Sequence, residues 1–156
     1  MDRVPITREG YGRIREELDR LKRVDRVQII RDIQIARAHG DIGENAEYHA
    51  AREKQGWIEA KIRDLETKLA SSDILDVSTG PKVKVCFGAR LRVEDLESGE
   101  EKVYRIVGPA EADIDQGLIS ITSPLARAMM NKEVGDEVVF QAPRGTKEYE
   151  VLEIFD

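Results

Sequence analysis

Seven positions, Tyr48, Ala51, Gln55, Ile58, Ile62, Leu65 and Leu69, recur at alternating spacings of three and four residues. An α-helix brings residues so spaced to one face, so this run reads as the seam of a coiled coil with one polar break at Gln55. A seam needs a partner, and a second stripe lies upstream. Tyr11, Ile14, Leu18 and Leu21 hold the same rhythm. Beyond Leu21 the stripe is expected to shift to Val24, Val27, Ile30 and Ile33, a phase slip in the heptad. Thr7 is placed as the N-cap of this first helix, with Ile6 available as a hydrophobic staple on Tyr11. Gly40, after Arg37-Ala38-His39, is placed to end it in a left-handed C′ conformation. The loop before the next helix is so short that the two must run antiparallel as a hairpin. At about 27 residues each, the helices should extend on the order of 40 Å.

Composition fits such an arm. Charged residues make up 36% of the 156 and aromatics only 5%, which leaves little material for one large core. Near Ser78-Thr79-Gly80-Pro81 the pattern changes from helical to alternating. Strands are expected at 88–95, 101–107, 117–121, 135–140 and 147–155, with a turn at Ser98-Gly99. Ser123 as N-cap and Pro124 at the first helical position open a short helix through Met130. The expected architecture is therefore α+β in two domains. An antiparallel coiled-coil hairpin occupies residues 1–77, a linker 78–81, and an antiparallel β-sheet domain with a short helix 82–156.

Several classes of function are disfavoured. The apolar runs are far too short for a bilayer span, and the charged N-terminus is not followed by an apolar stretch, so no signal peptide is expected. Cys86 stands alone, which rules out an internal disulfide and a multi-cysteine zinc site; a buried structural thiol is the simple expectation. His39 and His49 have no zinc-binding framework around them. A cytoplasmic, monomeric protein is expected. Residues 1–80 carry 15 basic against 16 acidic side chains, whereas residues 81–156 carry 10 against 15. An acidic second half does not suit a phosphate-gripping surface, so any nucleic-acid contact should be local and delivered through a partner.

The segment between the two helices, Gly40-Asp41-Ile42-Gly43-Glu44-Asn45, carries the chemistry of interest. Asp41 and Glu44 are spaced as a capping box, and carboxylates suit a helix N-terminus, so spacing alone favours a structural role. The alternative is that two exposed carboxylates are offered to a partner. Mg²⁺ prefers hard carboxylate oxygens and often takes only one or two from one protein, so this pair could complete a site begun elsewhere.

The stretch from Ala38 to Glu53, His39-Gly40-Asp41-Ile42-Gly43-Glu44-Asn45-Ala46-Glu47-Tyr48 at its centre, closely resembles the tip of the bacterial transcript cleavage factors of the Gre family, GreA type. The resemblance runs through Gly10, Arg15-Glu16-Glu17-Leu18, Tyr104-Arg105-Ile106-Val107-Gly108 and Ser123-Pro124-Leu125-Ala126-Arg127. It implies an FKBP-like fold for the second domain, which docks on the rim of the secondary channel of RNA polymerase while the coiled coil enters that channel. It implies that Asp41 and Glu44 help the polymerase hold a weakly bound Mg²⁺ and orient the attacking water. Arg37 and Arg52 would meet the 3′ end of the nascent RNA, and Ser123 and Pro124 would take part in docking. The chain would then be an accessory factor, not an enzyme, that stimulates RNA cleavage in backtracked complexes. For each arginine a solvated helix-face charge is the reading without the resemblance, and N-capping already accounts for Ser123 and Pro124. Gly43 departs from the polar or charged residue the family usually carries there. The rival functions are a cleavage-inert channel binder, which retention of both acids argues against, and a prolyl isomerase, which the scarcity of aromatic residues in the second domain argues against.

Overall fold

The computed structural model describes residues 3–41, 45–76 and 82–155. They group into two compact units, Tyr11–Ser71 and Met1–Gly10 together with Ser72–Asp156. The linker expected at 78–81 lies outside the described residues.

The helical unit holds most of α1 (Arg8–Arg20), a π-helical turn (Leu21–Asp25), α2 (Arg26–Ala38) and α3 (Ala46–Ser71). Backbone angles at Arg20 and Arg26 are helical, so the chain runs from α1 into α2 without a break. The second stripe is as expected: Ile58, Ile62 and Leu65 are buried, and Tyr48, Ala51, Gln55 and Leu69 are half-buried. The first stripe needs correction. Ile14, Leu21, Ile29, Ile33 and Ala36 are buried, while Val24, Val27 and Ile30 are 57%, 43% and 42% exposed. Leu21 to Ile29 spans eight residues, one more than a heptad, and the π turn absorbs the extra one. A regular α-helix would instead bring Gln28, Asp32 and Ile35 to the seam. Burying Ile29 and Ile33 is worth roughly 1.5–3 kcal/mol per side chain, enough to sustain a turn with poorer hydrogen-bond geometry.

In the other unit, β1 (Val4–Ile6) and β2 (Ser72–Ile74) pair in parallel, Val4 opposite Ser72 and Ile6 opposite Ile74. Neither strand is visible in the sequence, because three residues are too few to show a period. The main sheet contains β3 (Arg90–Asp95), β4 (Glu101–Val107), β5 (Leu118–Ser120), β6 (Glu137–Ala142) and β7 (Gly145–Ile154), in the order β5-β4-β3-β7-β6. All five strands fall close to their expected positions. The sheet is nonetheless mixed: β5 runs parallel to β4, since the chain turns through two short 3₁₀ segments at Pro109–Glu111 and Ile114–Gln116 before re-entering. A parallel neighbour always requires such a crossover, and alternation of side chains does not report strand direction. Leu91, Val93, Ile106, Val138 and Val151 are fully buried in the core, and α4 (Pro124–Met129) adds Ala126 and Met129 to it.

Besides the β1–β2 pairing, one carboxylate holds the start of the chain to this unit. Glu111 Oε2 accepts from the backbone N–H groups of Thr7 (2.8 Å) and Gly108 (2.9 Å), and Oε1 accepts from the Thr7 hydroxyl. Thr7 Oγ1 in turn accepts from Gly10 N at 3.0 Å, the N-cap expected from the sequence. Arg105 Nη1 donates to Glu9 Oε2 at 2.7 Å beside it. There is no room for side chains in this clasp. A Cβ at Gly108 would stand 1.9 Å from the Pro5 carbonyl oxygen, and one at Gly10 2.0 Å from Glu111 Oε1.

Two sets of variants test this account. Gly108→Ala must displace backbone and should lower stability by about 1–3 kcal/mol or more. Gly56→Ala, with nothing within 4 Å of the added methyl in α3, should raise it by about 0.5–1 kcal/mol, both read from denaturant melts. Deleting Val24 should turn the π turn into regular α-helix with the seam intact, so the melting midpoint followed by circular dichroism holds or rises. Deleting exposed Arg31 instead rotates Ile33 and Ala36 off the seam and should cost about 2–5 kcal/mol.

Candidate functional site

Below the hairpin's end, α2 and α3 are tied by a two-pronged ion pair. Arg26 Nε and Nη2 donate to Glu59 Oε1 and Oε2, each at 2.8 Å. The fork matches the carboxylate geometry. These hydrogen bonds hold the Glu59 carboxyl below its usual range and raise the guanidinium above its own. Lys22 and Glu66 make a looser pair at 3.5 Å further down.

At the end itself, His39 closes α2 with its N–H directed to Ala36 O and Arg37 O. Gly40 follows with φ +121°, the positive-φ C′ residue that its position in the sequence indicates. The start of α3 differs from expectation. The N-cap is Asn45, whose Oδ1 accepts from Tyr48 N at 3.0 Å and whose carbonyl accepts from His49 N at 3.1 Å. Asp41 lies four residues before that cap, so it does not open a capping box on this helix. The cause is local: an asparagine stands directly before the first helical residue, where its short side chain reaches the N3 amide. Asp41 is exposed. Glu44 and Gly43 lie outside the described residues. His39, Asp41, Asn45, Ala46 and Glu47 line one open depression here, and His39 Nδ1 lies 3.4 Å from Glu47 Oε2.

The two arginines are placed differently. Arg37 Cζ sits 5.8 Å from the centroid of the Tyr48 ring, a cation–π contact at the end of the hairpin. Arg52 stands almost two turns along α3, its Nη1 donating to Gln55 Oε1 at 3.2 Å. Both are exposed. Among the described residues no three His, Cys, Asp or Glu side chains converge to hold a metal ion, and no helix is long and apolar enough to cross a membrane.

Ser123 and Pro124 lie in the other unit. Ser123 Oγ accepts from Ala126 N at 3.2 Å and donates to Ser120 O at 2.7 Å, with Pro124 at the first helical position. They border a largely apolar groove of about 320 Å³ whose walls include Ile114, Leu118, Leu125 and Phe140. Ile114 is 63% exposed. Sequence reasoning missed this groove because its walls are spread over 27 positions of the chain. It also missed Asn45, although an asparagine just before a helical run is a recognised start signal.

Two family models match the chain: "Transcription elongation factor, N-terminal" over residues 4–74 and "Transcription elongation factor, GreA/GreB, C-term" over residues 80–156. The chain belongs to the GreA/GreB family. It is 52% identical over 153 residues to a transcription elongation factor GreA of Thermodesulfovibrio yellowstonii, covering 98% of this chain and 97% of that one. A GreA of Methylococcus capsulatus is 52% identical over 155 residues, with 99% and 98% covered. Among solved structures, GreA factor homolog 1 of Thermus thermophilus matches at 30% identity over 99% of each chain, with a TM-score of 0.45. A GreA/GreB member is a transcription elongation factor.

The ion pair below that end gives a pH test. A carboxyl held below its usual range stabilises the fold fully above that range, and the contribution is lost as the pH falls through its folded value. Glu59→Gln should therefore lower stability at pH 7 by about 0.2–1 kcal/mol. Its melting midpoint should then change less than the parent's between pH 7 and pH 3, and the two curves should converge in acid.

Proposed function

We propose that this elongation factor binds RNA polymerase through its second unit, inserts the helical hairpin into the secondary channel, and stimulates the polymerase's own cleavage of nascent RNA in backtracked complexes. It acts as an accessory factor, as a monomer and in the cytoplasm. The observation that carries the reading is the match of the GreA/GreB family models to both halves of the chain, with Asp41 exposed in the segment between α2 and α3.

Asp41 and Glu44 together would supply part of an oxygen site for Mg²⁺, with the polymerase supplying the rest. The donor chemistry fits, because Mg²⁺ accepts one or two carboxylates while keeping waters. The chemistry an ion held there would supply is that of one member of a two-metal pair, in which one ion activates the attacking water and the other supports the leaving oxygen. The residues of this chain orient that water by accepting hydrogen bonds. Arg37 and Arg52 offer charge-assisted hydrogen bonds to phosphates at the RNA 3′ end. The groove beside Ser123 and Pro124 gives the docking unit an apolar recess for a side chain of the polymerase.

A cleavage assay on stalled polymerase complexes tests the proposal with the full-length chain. Asp41→Asn and Glu44→Gln should each reduce the saturating cleavage rate about a hundredfold or more while polymerase affinity stays close to the parent's. Pro124→Ala should do the reverse, weakening affinity with little change at saturation. Parental cleavage by both acid variants would return those residues to a structural role. Binding without any stimulated cleavage by the parent protein would make it a cleavage-inert channel binder.

A further inference from the structure

Asn45 does more than start α3. Its Nδ2 donates to the carbonyl of Ala36 in the last turn of α2, while its Oδ1 accepts from Tyr48 N in the first turn of α3. One side chain therefore joins backbone groups of both helices across the loop that carries the acids. The Ala36 carbonyl also receives the N–H of His39 at 3.2 Å, so the clip lands on the same carbonyl that accepts from the C-cap of α2.

We infer that Asn45 is a positioning residue for the acids of the loop: by joining the last turn of α2 to the first turn of α3 it fixes both ends of the segment that carries them. The inference rests on the roles proposed above for those two carboxylates. The residue type is specific to the task. A primary amide presents a donor and an acceptor on one carbon, so it can serve a carbonyl and an N–H at once. A serine caps the helix equally well, but its one oxygen would have to stand within reach of both the Tyr48 N–H and the Ala36 carbonyl, a span the amide covers with two atoms. An aspartate caps too, but would set a negative oxygen against the Ala36 carbonyl. Arg37 with Tyr48 and His39 with Glu47 also link the two helices here, but through at least one exposed side chain each, and salt and motion weaken such contacts. Metal and water geometry tolerates displacements of only about 0.5 Å, and the backbone-anchored clip is the contact that can hold that tolerance.

The test uses full-length Asn45→Ser, which keeps the cap and removes only the tether, beside Asp41→Asn. Helix signal and melting midpoint should match the parent, and polymerase affinity should stay within about twofold. The saturating cleavage rate should fall about tenfold, as it does when residues that orient metal ligands are removed, and half-maximal cleavage should need more Mg²⁺. Any loss of melting midpoint is controlled by reading rates well below it, at matched folded fraction. A saturating rate within twofold of the parent, with Asp41→Asn inactive, would sink this inference and leave the proposed function standing. A fully active Asp41→Asn would sink the underlying reading of the acids instead.

Discussion

A two-helix hairpin can bury only one stripe from each helix, and everything borne at its end depends on those stripes staying in register. Ile29, Ile33 and Ala36 meet a seam containing Ile58, Ile62 and Leu65, and each large apolar side chain contributes roughly 1.5–3 kcal/mol. Exposed ion pairs contribute about 0.2–1 kcal/mol, so the seam holds the hairpin together and pairs such as Arg26–Glu59 refine it. The π turn at Leu21–Asp25 follows from that ranking. One residue too many for the heptad is accommodated as local irregularity, because misplacing the seam from there to Ala36 would be far costlier.

The polar groups show a common device. The three helices that start from identified caps use Thr7, Asn45 and Ser123, and in each the capping side chain is itself held by a second partner. Thr7 Oγ1 also donates to Glu111, Asn45 Nδ2 to the Ala36 carbonyl, and Ser123 Oγ to the Ser120 carbonyl. A cap alone satisfies an orphan N–H; a tethered cap also fixes where the helix begins relative to neighbouring chain. At Thr7 the tether is to Glu111, 104 residues away in sequence. That makes the first turn of α1 part of a unit otherwise built from the second half of the chain. At Asn45 the same device operates on the loop that carries the acids.

These devices bear on how an accessory factor of this kind can work. Under the proposed function, side chains that complete another protein's metal site must be exposed, yet must not wander. Exposure is secured by ending the helix caps elsewhere, on His39 and Asn45. Placement is secured by backbone hydrogen bonds close to the exposed acid. The apolar groove lies in the other unit, beside Ser123 and Pro124.

The sequence by itself determined the periodic part of this protein. The α3 seam, the Thr7 and Ser123 caps, Gly40 at C′, the five sheet strands and the short α4 were all legible, because each is set by residues a few positions apart. Family membership was legible for a related reason, as the matching residues stand in order along the chain. The tertiary structure alone decided the rest. It placed Val24, Val27 and Ile30 outside the seam, since a π turn depends on what the partner helix offers. It ran β5 parallel to β4, since strand direction leaves no mark on side-chain alternation. It gave the cap of α3 to Asn45 over Asp41, and it tied residues 4–10 to Ser72–Ile74 and Glu111. Those outcomes rest on single hydrogen-bonding atoms meeting across long stretches of chain, and only folding brings such atoms together.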